Sequence, residues 1–520
     1  MHENRETSET PAVKPGSRPA GEGKNHTARM YVPEESHSGI VPMNQSNKDR
    51  RPSAENEEER PLIKENAGQP NTHPTQSGER VSQGLAGVRK VARGNKEMKF
   101  TALLHHLTVE LLRESFYCLK RKAAPGVDGV TWQEYEIGGE DRLIDLHGRV
   151  HRGAYRAQPS RRVYIEKADG RQRPLGVAAL EDKLVQQAVA TILNQIYEED
   201  FLGFSYGFRP GRSQHDALDA LSYALLKKKV NYVLDADIRG FFDNLDHSWL
   251  IKFVEHRVAD HRILRLIQKW LKAGVMEEGK WSEAKTGSPQ GSVISPLLAN
   301  IYLHYTYDLW VNVWRKKYAQ GEVVIIRFAD DTIAGFQYQT DADRFLENVR
   351  ERLGKFGLEL HPDKTRRIEF GRFAEQNRER RGEGKPETFD FLGFTHISGK
   401  NGIGRFMVRR TTIRKRMRAK LRQVKQQLRE RMHDPVPQTG QWLKSVVQGF
   451  FNYYAVPGNL TSLGVFRDRV LALWWRTIRR RSQKRRISWT RILVLAQRWL
   501  PQPRALHPFP DARFAASHPR

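Results

Sequence analysis

Cysteine is nearly missing from this chain: Cys118 is the only one in 520 residues. A single cysteine excludes an internal disulfide framework and any zinc site built on paired cysteines. Cys118 is expected to be a buried small hydrophobe in a helix. Long apolar runs are missing too. None approaches the ~20 residues that span a bilayer, so no membrane partner is expected. The N-terminus lacks the apolar core of a secretory signal and is too acidic for an organellar transit peptide, which leaves the cytoplasm as the expected compartment. Aromatic residues are scarce at the start, where Tyr31 is the only one before residue 90, and 13 Lys/Arg there balance 13 Asp/Glu. Such a segment cannot bury enough apolar surface to offset its ordering entropy, so residues 1–92 are expected to be a disordered extension. Acidic residues are scarce near the other end: residues 401–500 hold 24 Lys/Arg against 3 Asp/Glu. Most of the formal net charge of +28 therefore sits in one segment. That excess implies a polyanionic partner, because neutralising phosphates releases condensed counterions.

What is present from about residue 97 is globular in pattern. Phe100 to Lys122 has helical spacing and ends at Ala124-Pro125-Gly126. Tyr164–Glu166 and Pro174–Val177 are expected strands around a Gly170 turn, Leu184–Tyr197 a helix, and Tyr232–Ile238 and Val323–Phe328 strands. This irregular alternation predicts an α+β domain. Beyond about 410 the strand signals stop. Ile413, Met417, Leu421, Val424, Leu428 and Met432 step by three and four, as do Phe466, Val470, Trp474 and Ile478.

Two acidic clusters stand in apolar frames. Ile325 to Phe336 reads as strand, Asp330-Asp331, strand: a hairpin with carboxylates at its turn. Tyr232 to Asp243 reads as a strand running into a glycine turn, with Asp235 and Asp237 on one face because side chains alternate. If that strand lies beside the hairpin, three carboxylates meet. Mg²⁺ prefers hard oxygen ligands, and two ions roughly 3.5–4 Å apart can clamp an in-line phosphoryl transfer.

The order of motifs resembles a reverse transcriptase, and within that group the reverse transcriptase/maturase of bacterial group II introns. Phe328-Ala-Asp-Asp331 is similar to the family's aromatic-Ala-Asp-Asp box, Asp237-Ile-Arg-Gly-Phe-Phe-Asp243 to its first palm box, and Thr286 to Asn300 to its Pro-Gln-Gly box. The resemblance covers about residues 100 to 515. It implies a right-hand polymerase with fingers and palm over 93–400, a helical thumb (maturase domain X) over 401–500, and a short tail over 501–520. It implies Asp237, Asp330 and Asp331 as catalytic metal ligands, helped by the Ile238 carbonyl, with two Mg²⁺ ions as cofactors. Lys167 and Arg173 would hold the incoming triphosphate, Gln290 and Gly291 would line the nucleotide pocket, Phe242 would exclude a ribose 2′-hydroxyl, and Lys364 would protonate the leaving pyrophosphate. Phe391-Leu-Gly-Phe394 is similar to the primer-gripping turn, and Ala124 to Val130 to the family's N-terminal extension loop.

Gln448-Gly-Phe-Phe-Asn-Tyr-Tyr-Ala455 resembles the maturase thumb signature. The basic run Arg479, Arg480, Arg481, Lys484, Arg485 and Arg486 is the candidate RNA-binding surface, because A-form RNA is read through phosphates, 2′-hydroxyls and shape. With no cysteine after Cys118, the paired-cysteine endonuclease of many relatives is expected to be absent. The implied function is RNA-directed DNA polymerisation together with splicing and mobility of a group II intron. The implied partners are the intron RNA, an RNA template with DNA primer, and dNTPs, with a homodimer left open. Two other readings share these motifs. One is an RNA-binding splicing factor with little polymerase activity, against which the intact carboxylates argue. The other is a retron or defence reverse transcriptase, against which the Asn-Tyr-Tyr thumb signature argues.

Overall fold

The computed structural model describes residues 76–166, 172–277, 279–282, 286–287, 291–481, 487–510 and 512–513. Its strands are β1 (Ser160–Glu166), β2 (Gln172–Val177), β3 (Tyr232–Asp237), β4 (Val275–Glu277), β5 (Lys280–Ser282), β6 (Val323–Phe328), β7 (Asp331–Phe336), β8 (Arg366–Glu369), β9 (Thr388–Phe391), β10 (Phe394–Lys400) and β11 (Phe406–Thr412). They form three sheets, ordered β2-β1-β4-β5 in the fingers, β6-β7-β3-β8 in the palm, and β11-β10-β9 at the entrance to the thumb. The α+β right-hand architecture expected from the motifs is the one found.

The palm sheet is antiparallel throughout and buried on both faces. Alternation sorts its side chains into two cores. Leu234, Ala236, Ile325 and Ala334 join the larger core, which the helices Leu180–Asp200 and Ser295–Leu303 also build. Val233, Ile326, Phe328 and Ile333 join a second core shared with the thumb helices. By the same alternation Asp235, Asp237 and Asp331 lie on the thumb-facing side of the sheet, and Arg327 on the other.

Among the described residues four helices follow the sheets: Arg414–Glu430, Val436–Tyr454, Leu460–Arg479 and Trp489–Trp499. The thumb signature is the last turns of the second. Its Phe450, Phe451, Tyr453 and Tyr454 are buried, and Phe450 stacks on Phe466 at 3.7 Å between ring centroids. These aromatics are core. The expected boundary at 400/401 falls inside the β10–β11 hairpin, whose register runs from Phe394↔Thr412 to Lys400↔Phe406, so the all-helical part begins at Arg414.

Three expectations need correction. Disorder to residue 92 does not hold for 76–92, which belong to the helix Gln76–Gly94. That helix carries few apolar residues, hence its weak signal, but Leu85, Val88 and Ala92 are buried. Arg89 and Arg93 bind the buried Glu199 carboxylate at 2.6 and 3.0 Å, anchoring the helix to Leu180–Asp200. The helix expected over 100–122 is shorter, Val109–Cys118, because the Thr108 side chain accepts the Leu111 amide and starts it late. Cys118, its last residue, is exposed rather than buried. Among the described residues no helix is long and apolar enough to cross a membrane.

Candidate active site

The Phe328↔Asp331 pairing closes a hairpin with only Ala329 and Asp330 in its turn. Two-residue hairpins match strand twist when the first turn residue has positive φ. Ala329 has φ +57°, a strained value for a residue with a Cβ. Asp331 opens β7 directly opposite Asp237, the last residue of β3. Sequence positions almost a hundred residues apart are thus neighbours across one ladder, with Asp330 next in the chain. All three are partly solvent-accessible, as groups that receive a substrate must be.

Asp237 is held from two sides. Its carbonyl accepts the His361 amide at 2.7 Å, and Ile238 forms a bridge with Leu360. Lys364 donates to its Oδ2 at 2.6 Å. The segment Leu360–Lys364 therefore reaches the site, as its motif implied, and brings an ammonium to a carboxylate. Asp235, two residues earlier on the same face, is pushed up to about 7, chiefly by burial and against the pull of Arg366. Among the described residues, no three His, Cys, Asp or Glu side chains are gathered tightly enough to cage an ion, and Asp237 is paired with Lys364. The donor chemistry still fits a divalent ion: carboxylate and carbonyl oxygens, hard ligands presented on one sheet end.

The surrounding motifs converge. Thr286 Oγ1 donates to the Asp243 carbonyl at 3.1 Å, and the Gly287 amide to the Leu245 carbonyl at 2.7 Å. A Cβ on Gly287 would stand 2.8 Å from the Phe242 carbonyl. Thr286 and Gly287, which open the Pro-Gln-Gly box, thus rest on the Phe242 turn. Phe242 itself is half-buried, edge-on to Phe241 at 5.4 Å, so it serves the core as well as any substrate. Gly291 has φ +109°, and a Cβ there would come 2.7 Å from the Gly176 carbonyl. Its freedom is used to seat this residue against β2, the strand that carries Arg173. Lys167 and Gln290 lie outside the described residues. Arg173 is half-buried in β2, paired in register with Ile165.

Sequence reasoning missed Gln186. It is buried on the helix Leu180–Asp200, and its Oε1 accepts from Ser292 Oγ at 2.8 Å and the Val293 amide at 3.0 Å, fixing the Pro-Gln-Gly segment from below. A glutamine inside an apolar helix run was the available signal. The Ala124–Val130 loop docks through its carbonyls, Ala124 accepting from Lys183 at 3.0 Å and Pro125 from Arg161 at 2.7 Å. The β9–β10 turn is Leu392-Gly393, at φ +45° and +85°, and Tyr453 of the thumb donates to the Leu392 carbonyl at 2.7 Å.

The basic run divides. Lys484, Arg485 and Arg486 lie outside the described residues. Arg480 is exposed. Arg479 is half-buried over the Trp475 ring at 4.7 Å, and Arg481 is half-buried with its guanidinium pushed down by burial, so both serve packing. A second basic surface, which the sequence reading did not single out, lies on the helix Arg414–Glu430. Arg414, Arg418, Arg422, Lys425 and Arg429 are exposed at spacings of four, four, three and four, one continuous stripe beside the apolar one that buries Val424 and Leu428. The signal was the complement of the apolar stripe.

Comparison with known proteins agrees with this geometry. Residues 165–396 match the family of reverse transcriptases (RNA-dependent DNA polymerases). The chain is 36% identical to protein YkfC of Escherichia coli over 276 residues, covering 46% of this chain and 71% of that protein. It is 35% identical to the group II intron-encoded protein LtrA of Lactococcus lactis subsp. cremoris over 222 residues, covering 42% of this chain and 37% of that protein. It is 25% identical to the mitochondrial nuclear intron maturase 3 of Arabidopsis thaliana over 124 residues, 24% of this chain and 17% of that protein.

Proposed function

The chain belongs to the reverse transcriptase/maturase family of group II introns, and on that premise we propose that it extends a DNA primer on an RNA template and binds the intron RNA through its thumb. The observation that carries the polymerase reading is the register of β3 and β7, which sets Asp237 against Asp331 with Asp330 in the adjoining turn. Asp237, Asp330 and Asp331, with the Ile238 carbonyl, would hold two Mg²⁺ ions. Bound there, the ions would favour loss of the primer 3′-hydroxyl proton and neutralise charge on the reacting phosphate and the departing pyrophosphate.

The protein's own residues supply the rest. Arg173, on the strand that Gly291 abuts, would hold the triphosphate, for which a guanidinium offers paired donors. Lys364 neutralises Asp237 before substrate enters; released from it, its ammonium would give a proton to the pyrophosphate. The Phe242 ring, packed edge-on to Phe241 and carried on a turn that Gly287 abuts, would close the floor under the sugar. The stripe from Arg414 to Arg429 would follow a phosphate backbone, which lets the protein grip folded RNA by shape.

Single variants Asp237→Asn and Asp331→Asn, assayed for dNTP incorporation on a primed RNA template, test the assignment. Each is expected to lose activity by at least ~100-fold, since a lost electrostatic partner of the transition state costs about that much. A variant that keeps parental rates would remove that residue from the site.

A further inference from the structure

We propose that the Ala329-Asp330 turn is fixed from behind the palm sheet by a buried polar node centred on Arg327, and that Arg327, Asp308 and Asn300 are positioning residues for the catalytic carboxylates. The proposal deepens the polymerase reading and rests on it.

Arg327 sits on β6, two residues before the strained Ala329, on the face of the sheet opposite Asp237 and Asp331. It is fully buried. An arginine has five N–H donors in a rigid fork, and here five acceptors meet them. Nε donates to Asp308 Oδ1 at 2.7 Å, and Nη2 to Asp308 Oδ2 and to Ser205 Oγ, the latter at 2.7 Å. Nη1 donates to Asn300 Oδ1 at 3.1 Å and to the Ala329 carbonyl at 2.9 Å. The last bond is the functional one, because it holds the peptide between Ala329 and Asp330.

Two further observations place the node at the turn. Asn300 Nδ2 donates to the Gly207 carbonyl at 2.7 Å. Gly207 in turn lies against the turn so closely that a Cβ there would stand 2.3 Å from the Ala329 amide nitrogen and 2.8 Å from the Phe328 carbonyl carbon. Asp308 ends a π-helical turn, His304–Asp308, inserted between the helices Ser295–Leu303 and Leu309–Lys317. Such insertions are uncommon and gather at functional sites.

Stability alone does not account for the arrangement. A buried ion pair recovers little beyond its desolvation cost, and apolar residues of similar volume often hold a fold as well. What apolar residues cannot do is bind the Ala329 carbonyl and hold a non-glycine residue at φ +57°. The carboxylate that follows is only as well placed as that peptide.

The test separates the two roles. In the double variant Arg327→Met, Asp308→Leu the charges leave together and packing volume is retained. Asn300→Ala leaves the Arg327–Asp308 ion pair in place and removes the tie to Gly207 together with one acceptor of Arg327 Nη1, so a second, smaller perturbation of the node is available whatever the first does. Each is compared with the parent and with Asp330→Ala for melting temperature, affinity for primed template, Mn²⁺ affinity by electron paramagnetic resonance, and extension rate across a Mg²⁺ series. The account expects the double variant to melt and bind template like the parent. It should need several-fold more Mg²⁺ for half-maximal rate, bind Mn²⁺ correspondingly more weakly, and extend on the order of 100-fold more slowly, the cost of displacing a catalytic group by about 1 Å. Asn300→Ala should shift in the same direction by less. Unchanged metal affinity and Mg²⁺ demand in both folded variants would overturn the node. An inactive parent would instead sink the polymerase reading, while the Mn²⁺ affinities would still decide the node.

Discussion

At the scale of single residues, the carboxylates were legible because each acid stood where an apolar strand ended. Their partners were not. Gln186, Asn300 and Asp308 lie in apolar helical stretches, and their hydrogen-bond partners lie many residues away, so no local spacing announces them. Phe242 shows a residue with two duties. Because its ring is half-buried against Phe241, Phe242→Val should cost some stability as well as admit a ribose. The expected result is a rise of at least ~10-fold in the ratio of rNTP to dNTP incorporation, read by single-nucleotide extension, since one steric contact is worth about 1–3 kcal/mol of discrimination. An unchanged ratio with a lowered melting temperature would return the ring to the core.

His396 gives a second prediction at this scale. It is fully buried, stacked on Phe389 at 4.8 Å, and burial with the Arg410 charge holds its imidazole down at about 3. In the unfolded chain it titrates near 6.5. The unfolded state therefore binds more protons between those values, and stability is lost as pH falls from about 6.5 toward 3, by up to ~1.4 kcal/mol per unit. His396→Phe should flatten the melting-temperature curve over pH 4–6 relative to the parent, and the difference between the two isolates this residue from other titrating groups. Parallel curves would contradict the assignment.

At the scale of elements, the long amphipathic helices were readable from spacing, and so were both strands that carry the acids. What spacing could not give was capping and docking. The first described helix has, among its described side chains, Leu85, Val88 and Ala92 buried, and it is anchored by one carboxylate, Glu199, that binds two arginines. Leu85→Ala with Val88→Ala should lower stability by about 2 kcal/mol, the small end for such truncations because the helix is peripheral. No change in thermal unfolding would mean that the helix is not anchored as seen. The thumb stripe makes the complementary prediction. Replacing Arg414, Arg418, Arg422, Lys425 and Arg429 by Gln should weaken RNA binding without unfolding the helix, since all five are exposed. The slope of log affinity on log salt should fall by somewhat under one unit per lost phosphate contact. Replacing Arg479 should instead lower stability, because it covers Trp475. RNA affinity and salt slope equal to the parent's would reduce the stripe to a solvated face.

At the scale of the whole molecule, charge and chemistry are divided. The carboxylates end the palm sheet, while most of the positive excess lies in the sequence beyond residue 400. Composition showed this division plainly, and the stripe on the exposed side of Arg414–Glu430 adds a second basic surface to the run at 479–486. Polymerisation needs the first part, and holding an intron in its folded form needs only the second. The most direct test is the double variant Asp330→Ala, Asp331→Ala, given a primed RNA template in one assay and a group II intron transcript at low Mg²⁺ in another. The account predicts that primer extension disappears while RNA affinity and splicing assistance stay at parental levels; near-normal extension by that variant would contradict it.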